Sequence, residues 1–415
     1  MIPEKVLDGI KAWGFLTAIA GTALSISAID SGLCIYLFAL VLSLFAAGRS
    51  RMRTYPFPFL LGLLLASLCV SWFRSEYFWT SARGLIKYLD GFVLLYAGID
   101  VIKGRRELRW VVVTLTVAYS IAAFAALFQQ AFGVDFVYWR EPNIYQTGIW
   151  RLRGPFKHCN DFGTFLVPGI SIAAALTAGE FRHGKRKNAV WCGLLFVLLA
   201  YCLLRTMSRG ALVAELVALG FLALFFRSRW IFMSAAAMGG ALVWIIPSTL
   251  SVRLRGLLAW GSDIMPERVM LIKTALKMIG TNPFFGLGLN TYSENFPKFK
   301  PEDYPAFMYA HNSYLQMAAE SGIVGVALFV IFILAFLWLF VRSILAMKAG
   351  FERTLLAGIA AGVLGMLVNA LFDSIFQATR LRALFWCLMG IGAALAYGYR
   401  TLPRPAKPRK VKVLR

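Results

Sequence analysis

The sequence has little charge, and most of the charge that it has is positive. Only 15% of its 415 residues are Asp, Glu, Lys or Arg, and 59% are hydrophobic. A soluble domain of this length needs more polar surface than that. The composition excludes a soluble globular protein and indicates a membrane protein.

Cysteine and histidine are also scarce, and their placement excludes two kinds of site. Five of the six cysteines lie in apolar runs and only Cys159 lies in a polar loop, which excludes a disulfide framework between loops. The three histidines have no cysteine partners at metal-ligand spacing, and no Asp-x-Asp motif marks the loops. We therefore expect neither a metal site nor a cofactor.

Apolar runs of near-membrane length recur along the whole chain. About 20 residues of helix span a hydrocarbon core of about 30 Å. The alternation of a membrane β-barrel is missing, so the runs are predicted to be helices. The predicted fold class is an all-α integral membrane protein with about twelve transmembrane helices. These are predicted near 13–29, 32–47, 57–73, 84–99, 110–132, 162–180, 189–205, 211–226, 231–247, 313–341, 354–372 and 382–399.

Basic clusters between these runs predict the topology. Short loops rich in Lys and Arg stay in the cytoplasm, and with twelve helices every cluster falls on one side. Both termini are then cytoplasmic, and we expect a single polytopic domain over residues 1–415. The clusters are Arg49/Arg51/Arg53, Lys103/Arg105/Arg106/Arg109, Arg182/Lys185/Arg186/Lys187, Arg227/Arg229, Arg342/Lys348/Arg353 and the basic tail 400–415.

The longest segment on the other side is a loop over residues 248–311. An amphipathic helix is predicted within it, because apolar residues recur there at helical spacing opposite basic ones. Asp263 can cap this helix, which we expect to lie along the membrane surface near lipid headgroups. Its apolar residues are Met265, Val269, Ile272, Leu276 and Ile279, and its basic residues are Arg268, Lys273 and Lys277.

Several arginines lie on this predicted outer side, although Lys and Arg usually concentrate in cytoplasmic loops. They indicate an anionic ligand at the outer membrane face, and contact with lipid phosphates is the alternative for any one of them. They lie in short segments beside aromatic residues. The basic residues concerned are Arg151, Arg153, Lys157, Arg205, Arg209, Arg253, Arg255, Arg268, Arg380 and Arg382.

His311 is the candidate for proton transfer. It lies where the outer loop meets a membrane helix, and a neutral imidazole can take a proton from a hydroxyl. The alternative is a histidine that only anchors the chain at the interface. Asn312 and Ser313 can cap the helix that follows.

Four further residues are weaker candidates. Glu215 and Glu320 lie inside predicted membrane helices, where a carboxylate is either functional or a hydrogen-bonded packing contact. Asp373 lies at an outer helix end, where it either belongs to the site or pairs with the nearby Arg380. Nothing specific assigns proton transfer to His158.

Three stretches resemble the O-antigen ligase family of lipopolysaccharide assembly, within the wider ligase and polymerase superfamily. Residues 151–160 are similar to an Arg-x-x-Gly loop followed by Asn, although His-Cys-Asn stands where Asn-Pro-Asn is common. Ser208-Arg209-Gly210 resembles a Ser-Arg-Gly motif. His311-Asn312 precedes Gly322 and Gly325 at the spacing of the ligase pattern. The resemblance covers residues 140–330.

The resemblance implies a glycosyltransferase of the membrane-embedded GT-C-like type. It implies transfer of a glycan from undecaprenyl diphosphate to a sugar hydroxyl of lipid A-core, on the periplasmic face of the bacterial inner membrane. The expected partners are these two substrates and membrane lipid, with no metal, nucleotide or nucleic acid. The general base is expected at His311 and the diphosphate contacts at Arg151, Arg209 and Arg268, with Arg153 added. Supporting roles are expected for Asn312, Ser208, Asp373, Arg380 and Glu320.

Three other functions stay open on the sequence. An O-antigen polymerase uses the same donor but a lipid-linked glycan acceptor, and a protein O-oligosaccharyltransferase glycosylates Ser or Thr. A transporter of a lipid-linked sugar belongs to another class. Transport predicts charges across the bilayer and inverted repeats, whereas here the charges gather at one face and no repeat is visible.

Overall fold

The described part of the chain contains helices and no strand. A computed structural model describes residues 3–47, 53–133, 151–245, 267–302 and 309–401. Fourteen helices lie in these ranges: α1 Glu4–Leu24, α2 Ile26–Ala47, α3 Pro58–Phe73, α4 Phe78–Val101, α5 Arg105–Phe132, α6 Cys159–Arg182, α7 Arg186–Thr206, α8 Arg209–Phe226, α9 Arg229–Ile245, α10 Glu267–Thr281, α11 Tyr292–Phe299, α12 Ser313–Ala346, α13 Phe351–Asn369 and α14 Thr379–Thr401.

The predicted class, an all-α integral membrane protein, is confirmed. Within the described ranges, eight helices are long and apolar enough to cross a membrane: α2, α5, α6, α7, α8, α12, α13 and α14. The shorter helix α3 is also apolar. Each of the twelve predicted spans overlaps with a helix, but α1 and α4 carry several charged residues and α9 is short. The number of spans stays a prediction.

The first helix differs from its predicted bounds of 13–29. Helix α1 begins at Glu4, and the chain turns back at Ser25, so that α1 and α2 form a tight hairpin. The hydropathy of the sequence is low around Lys11, yet this lysine is buried. Its Nζ lies 3.2 Å from Asp100 Oδ2, and the hydroxyl of Tyr36 donates to the same oxygen at 3.3 Å. The pairing removes the cost of burying the charge alone.

Small residues allow the central helices to pack closely. Helices α6 and α14 are the most buried of the eight membrane-length helices in the described ranges. Helix α13 lies against α6 through glycines: a Cβ on Gly362 would lie 2.6 Å from Pro168, and one on Gly358 2.8 Å from Ile172. Close backbone approach is typical of helix pairs in membranes, where dispersion contacts replace the hydrophobic effect.

Helix α12 is broken at Gly322, and the preceding loop fills the break. Gly322 has φ 73° and ψ 177°, outside the helical region. The freed amide of Ile323 donates to the carbonyl of Pro283 at 2.7 Å, and the amide of Gly288 donates to the carbonyl of Glu320 at 2.9 Å. Backbone groups near the bilayer need partners, and the loop supplies them. The part of α12 after the break is long enough to cross a core of about 30 Å by itself.

The amphipathic helix predicted in the outer loop corresponds to α10. Its buried face packs with α11 in a second, small apolar cluster that includes Met270, Leu271 and Phe296. Val269, Ile272 and Leu276 remain exposed beside Arg268, Lys273 and Lys277. The helix therefore has two apolar faces, and contact of the exposed one with lipid stays a prediction. Asp263, Met265, Pro266 and the basic tail from 402 onwards lie outside the described residues.

Candidate functional site

His311 is held in place by the cap of α12. Asn312 is the N-cap residue, and its Oδ1 accepts hydrogen bonds from the amides of Tyr314 and Leu315, both at 3.0 Å. Its Nδ2 donates to the carbonyl of Leu371 at 3.1 Å. Asparagine satisfies amides that have no partner within the helix. His311 itself has φ 47°, a strained conformation for a residue with a side chain.

The segment after α13 places a carboxylate against this imidazole. His311 Nδ1 lies 3.2 Å from Asp373 Oδ1, and the two side chains are 41% and 20% exposed. Two further bonds join the same segments. The amide of Ser313 donates to the carbonyl of Ala370 at 2.8 Å, and the hydroxyl of Ser313 donates to the carbonyl of Asp373 at 2.8 Å. The pair is therefore fixed by backbone contacts on both sides.

The surroundings keep Asp373 ionised. Burial alone would raise the pKa of this carboxyl, but the hydrogen bond and charge of His311, the amide of Ser374 and the guanidinium of Arg268 together lower it. Because the ionised carboxyl of Asp373 can only accept a hydrogen bond, Nδ1 carries the proton and Nε2 is the basic nitrogen. Arg268, in α10, is therefore within electrostatic reach of the pair.

The loop over residues 151–158 connects the other arginines to this region. Arg151 Nε donates to the carbonyl of Thr206 at 2.7 Å, and its terminal nitrogen donates to Asn160 Oδ1 at 2.9 Å. Thr206 is the last residue of α7, and α8 begins at Arg209 after Ser208. The structure therefore brings the first and second predicted motifs to one junction.

The end of the same loop reaches the imidazole–carboxylate pair. Burial and then the charge of Lys157 lower the pKa of His158, whereas Asp373 opposes them, so His158 and Asp373 are electrostatic neighbours. Asp161, in the first turn of α6, also interacts with Asp373 and His311. Asp161 was not predicted. Its position directly after the Asn of the first motif was the available signal.

Arg153 and Arg380, two of the predicted arginines, are both buried. The Arg153 backbone amide donates to Gln129 Oε1 at 3.1 Å. Arg380 lies over the ring of Phe156 at 3.8 Å, and its guanidinium donates to the carbonyls of Thr22, Ala23 and Pro155. Sequence reasoning placed Arg380 beside Asp373. In the structure it joins the loop to the end of α1, which fixes the loop position.

The two glutamates occupy different surroundings. Glu320 lies in the short part of α12 before the break, where its Oε2 accepts the amide of Asn290 at 2.8 Å and its Oε1 accepts Gln316 Nε2 at 3.1 Å. Glu215 is fully buried in α8 beside Ser171 and Tyr119. Glu320 therefore lies between His311 and the break in α12, and it binds the loop that fills this break. Within the described ranges, no group of three or more His, Cys, Asp or Glu could hold a metal ion.

The fold and this site define a class: an all-helical membrane protein with an imidazole–carboxylate pair and arginine-bearing loops at one end of its helices. A family model described as O-Antigen ligase matches residues 194–330. The predicted resemblance to the O-antigen ligase family is confirmed over this segment, which is about one third of the chain. The matched segment includes Arg209, Arg268 and His311, but neither Arg151 nor Asp373. No curated protein matches the chain.

Proposed function

We propose that this protein is an O-antigen ligase. It transfers a glycan from undecaprenyl diphosphate to a sugar hydroxyl of lipid A-core, at the periplasmic face of the bacterial inner membrane. The observation that carries the proposal is the His311–Asp373 pair, with 3.2 Å between Nδ1 and Oδ1, next to arginine-bearing loops. His311 lies inside the segment that matches the ligase family, and Asp373 lies outside it. Both substrates are anchored in lipid, so a site at the end of the helices suits them.

His311 acts as the general base. Asp373 accepts a hydrogen bond from the Nδ1–H group and so orients the ring, and Nε2 takes the proton of the acceptor hydroxyl. The hydroxyl oxygen then attacks the anomeric carbon as the bond from that carbon to the diphosphate oxygen breaks. Undecaprenyl diphosphate leaves with the bonding electrons. Because this is a single displacement from the opposite side, the anomeric configuration inverts.

The arginines stabilise the leaving group. Negative charge builds on the diphosphate as its bond breaks, and guanidinium groups bind such oxygens through paired, charge-assisted hydrogen bonds. We assign this role to Arg151, Arg209 and Arg268, with Arg153 as a further contact. Arg151 is oriented for it by Thr206 and Asn160, and Arg268 lies in electrostatic reach of Asp373. The same contacts position the anomeric carbon for attack.

An acceptor test examines the proposal. Purified protein receives lipid-linked glycan donor with lipid A-core, with a second lipid-linked glycan, or with a Ser/Thr-containing protein. A ligase transfers to lipid A-core, a polymerase to the lipid-linked glycan and a protein glycosyltransferase to the protein. Transport of the donor into vesicles without any transfer would identify a transporter instead.

The variant His311→Ala tests the general base. We expect transfer to fall by about 10²- to 10⁴-fold, the usual contribution of general base catalysis. His183→Ala is the matched control, because His183 is an exposed histidine between α6 and α7. Normal capping of lipopolysaccharide in the His311→Ala strain, with equal expression, would contradict the assignment.

A further inference from the structure

A cavity with several polar side chains in its mainly apolar wall lies next to residues that contact the His311–Asp373 pair. It opens between α4, α12 and α14, and has a volume of about 40 Å³. Ser313 and Ser374 line it, and both contact Asp373: one hydroxyl donates to its carbonyl and the other residue donates its amide to Oδ1. The cavity therefore shares a wall with the proposed catalytic pair, on the side of α4 and α14.

Two cations face this cavity. Lys87 of α4 and Arg382 of α14 line it, and Arg382 is 8% exposed. Lys87 donates to Asn290 Oδ1 and Arg382 donates to the carbonyl of Phe376 at 3.0 Å. Neither cation forms an ion pair within 4 Å with a carboxylate of the described residues. Asp90 and Asp30 influence Arg382 from farther away.

The carboxylate in the cavity wall is already engaged by neutral groups. Glu320 accepts hydrogen bonds from the amide of Asn290 and from Gln316, with Gln377 at 3.4 Å. It therefore orders the amide side chains of the wall and forms no ion pair with Lys87. A buried cation without a close anion, such as Arg382, is costly, and such residues inside membrane proteins mark ligand sites.

Buried polar atoms of the wall also need a partner. Gln316 is 2% exposed, and among the described residues its Oε1 has no hydrogen-bond partner; the same holds for Ser374 Oγ. The cavity wall therefore contains the acceptor Gln316 Oε1 and the hydroxyl of Ser374 together with two cations. A ligand that fits presents anionic oxygens to the cations and a hydroxyl to Gln316.

The volume limits what enters. At about 10–15 Å³ for each water position, the cavity holds the equivalent of about three waters. That is room for a substituent of a sugar, not for a whole oligosaccharide. The rest of the sugar would therefore lie outside the cavity.

We propose that this cavity binds an anionic substituent, a phosphate or a carboxylate, carried by a sugar of one of the two glycan substrates. Lys87 and Arg382 bind its oxygens, Gln316 accepts from a neighbouring hydroxyl, and the bound group sets the position of that sugar against His311. The inference rests on the proposed function and deepens it: the enzyme distinguishes charged from neutral sugars near the reacting bond.

The test compares charged and neutral substrates with Lys87→Met. Lipid A-core with phosphate on its core sugars is compared with the same acceptor after phosphatase treatment. A donor with a uronic acid is compared with its neutral hexose counterpart. We expect Lys87→Met to raise KM about tenfold for the charged member of one pair and less than twofold for its neutral member. The pair that responds identifies the substrate that carries the group.

Controls separate charge recognition from loss of structure. Arg83→Met removes an exposed cation one turn away on the same helix. We expect it to leave KM unchanged for the charged and for the neutral member of each pair. Lys87→Arg should restore most of the discrimination, because it keeps the charge. Equal losses for charged and neutral substrates in both pairs would overturn the proposal.

A binding measurement distinguishes this inference from the proposed function. Wild type and Lys87→Met are titrated with phosphorylated and dephosphorylated lipid A-core, and with both donors, without turnover. If wild type fails to transfer any glycan but prefers a charged ligand through Lys87, the ligase assignment fails and the cavity assignment stands. If transfer occurs and wild type binds charged and neutral ligands equally, the cavity assignment fails alone.

Discussion

Two polar side chains on helix α4 have opposite kinds of surroundings. Asp100, near the end of the helix, is buried and lies 3.2 Å from the buried Lys11, with Tyr36 as a further donor. Lys87, nearer the start, faces a cavity and donates to the amide oxygen of Asn290. One end of the helix therefore has a neutralised ion pair, and the other has a cation beside the proposed catalytic pair.

This difference distinguishes polar groups that stabilise the fold from polar groups that we propose to act in binding or catalysis. A buried ion pair whose partners satisfy each other contributes to the stability of the helix arrangement. The region around His311 instead combines a partly exposed imidazole, on a residue at positive φ, with Lys87 and Arg382, neither of which has a carboxylate of the described residues within 4 Å. Such features cost stability and persist where they serve binding or catalysis.

The comparison predicts that loss of Lys11 affects stability alone. Lys11→Met leaves Asp100 buried without its cation, and we expect a loss of about 3–5 kcal/mol in the free energy of unfolding. Both KM values should stay the same in the fraction that remains folded. Lys103→Met is the control, because this lysine is partly exposed and pairs with Asp8; we expect less than about 1 kcal/mol. The free energy of unfolding is measured in detergent. A rise in KM for one substrate alone in Lys11→Met would contradict the comparison.

A substitution of Gly322, at the break in α12, tests the region around His311. A Cβ on Gly322 would lie 2.2 Å from the carbonyl oxygen of Phe284, at φ 73°. We expect Gly322→Ala to cost at least about 1–3 kcal/mol from its positive-φ extended conformation alone, which is essentially restricted to glycine. Because Gln316 and Glu320 lie in the part of α12 before the break, transfer should fall as well. Gly62→Ala, with no atom near its Cβ, should change neither quantity.

The smallest expected effect concerns the exposed arginine of α10. Arg268 influences Asp373 by its charge, and we propose that it contacts the diphosphate. Arg268→Ala should raise KM for the donor about tenfold, which corresponds to about 1.4 kcal/mol, with KM for lipid A-core unchanged. Lys273→Ala, an exposed cation on the same helix, is the control. Unchanged donor affinity in Arg268→Ala would remove this residue from the proposed site.

Much of the helical frame could be predicted from hydropathy. The predicted span 211–226 nearly coincides with α8, Arg209–Phe226, because a long apolar run leaves few alternatives. The prediction differed for α1, where Lys11 lowers the local hydropathy. Its burial depends on Asp100, which is far away along the chain, and periodicity cannot show such a pairing.

The candidate site was predicted as a set of residues and not as an arrangement. His311 and Asp373 were both candidates, but their pairing joins two loops that are distant in sequence. The segment after α10 was predicted as part of the long loop 248–311, whereas its backbone completes the broken helix α12. Lys87 was missed, although a single lysine within the predicted span 84–99 was a usable signal.

A double-mutant cycle on His311 and Asp373 tests the central claim most directly. The rate of glycan transfer is measured for wild type, His311→Ala, Asp373→Asn and the double variant. If Asp373 acts by orienting the imidazole, Asp373→Asn lowers the rate by itself and adds nothing once His311 is gone, because residues that act as a unit are not additive. Losses that multiply in the double variant would contradict the account, since the two residues would then contribute independently.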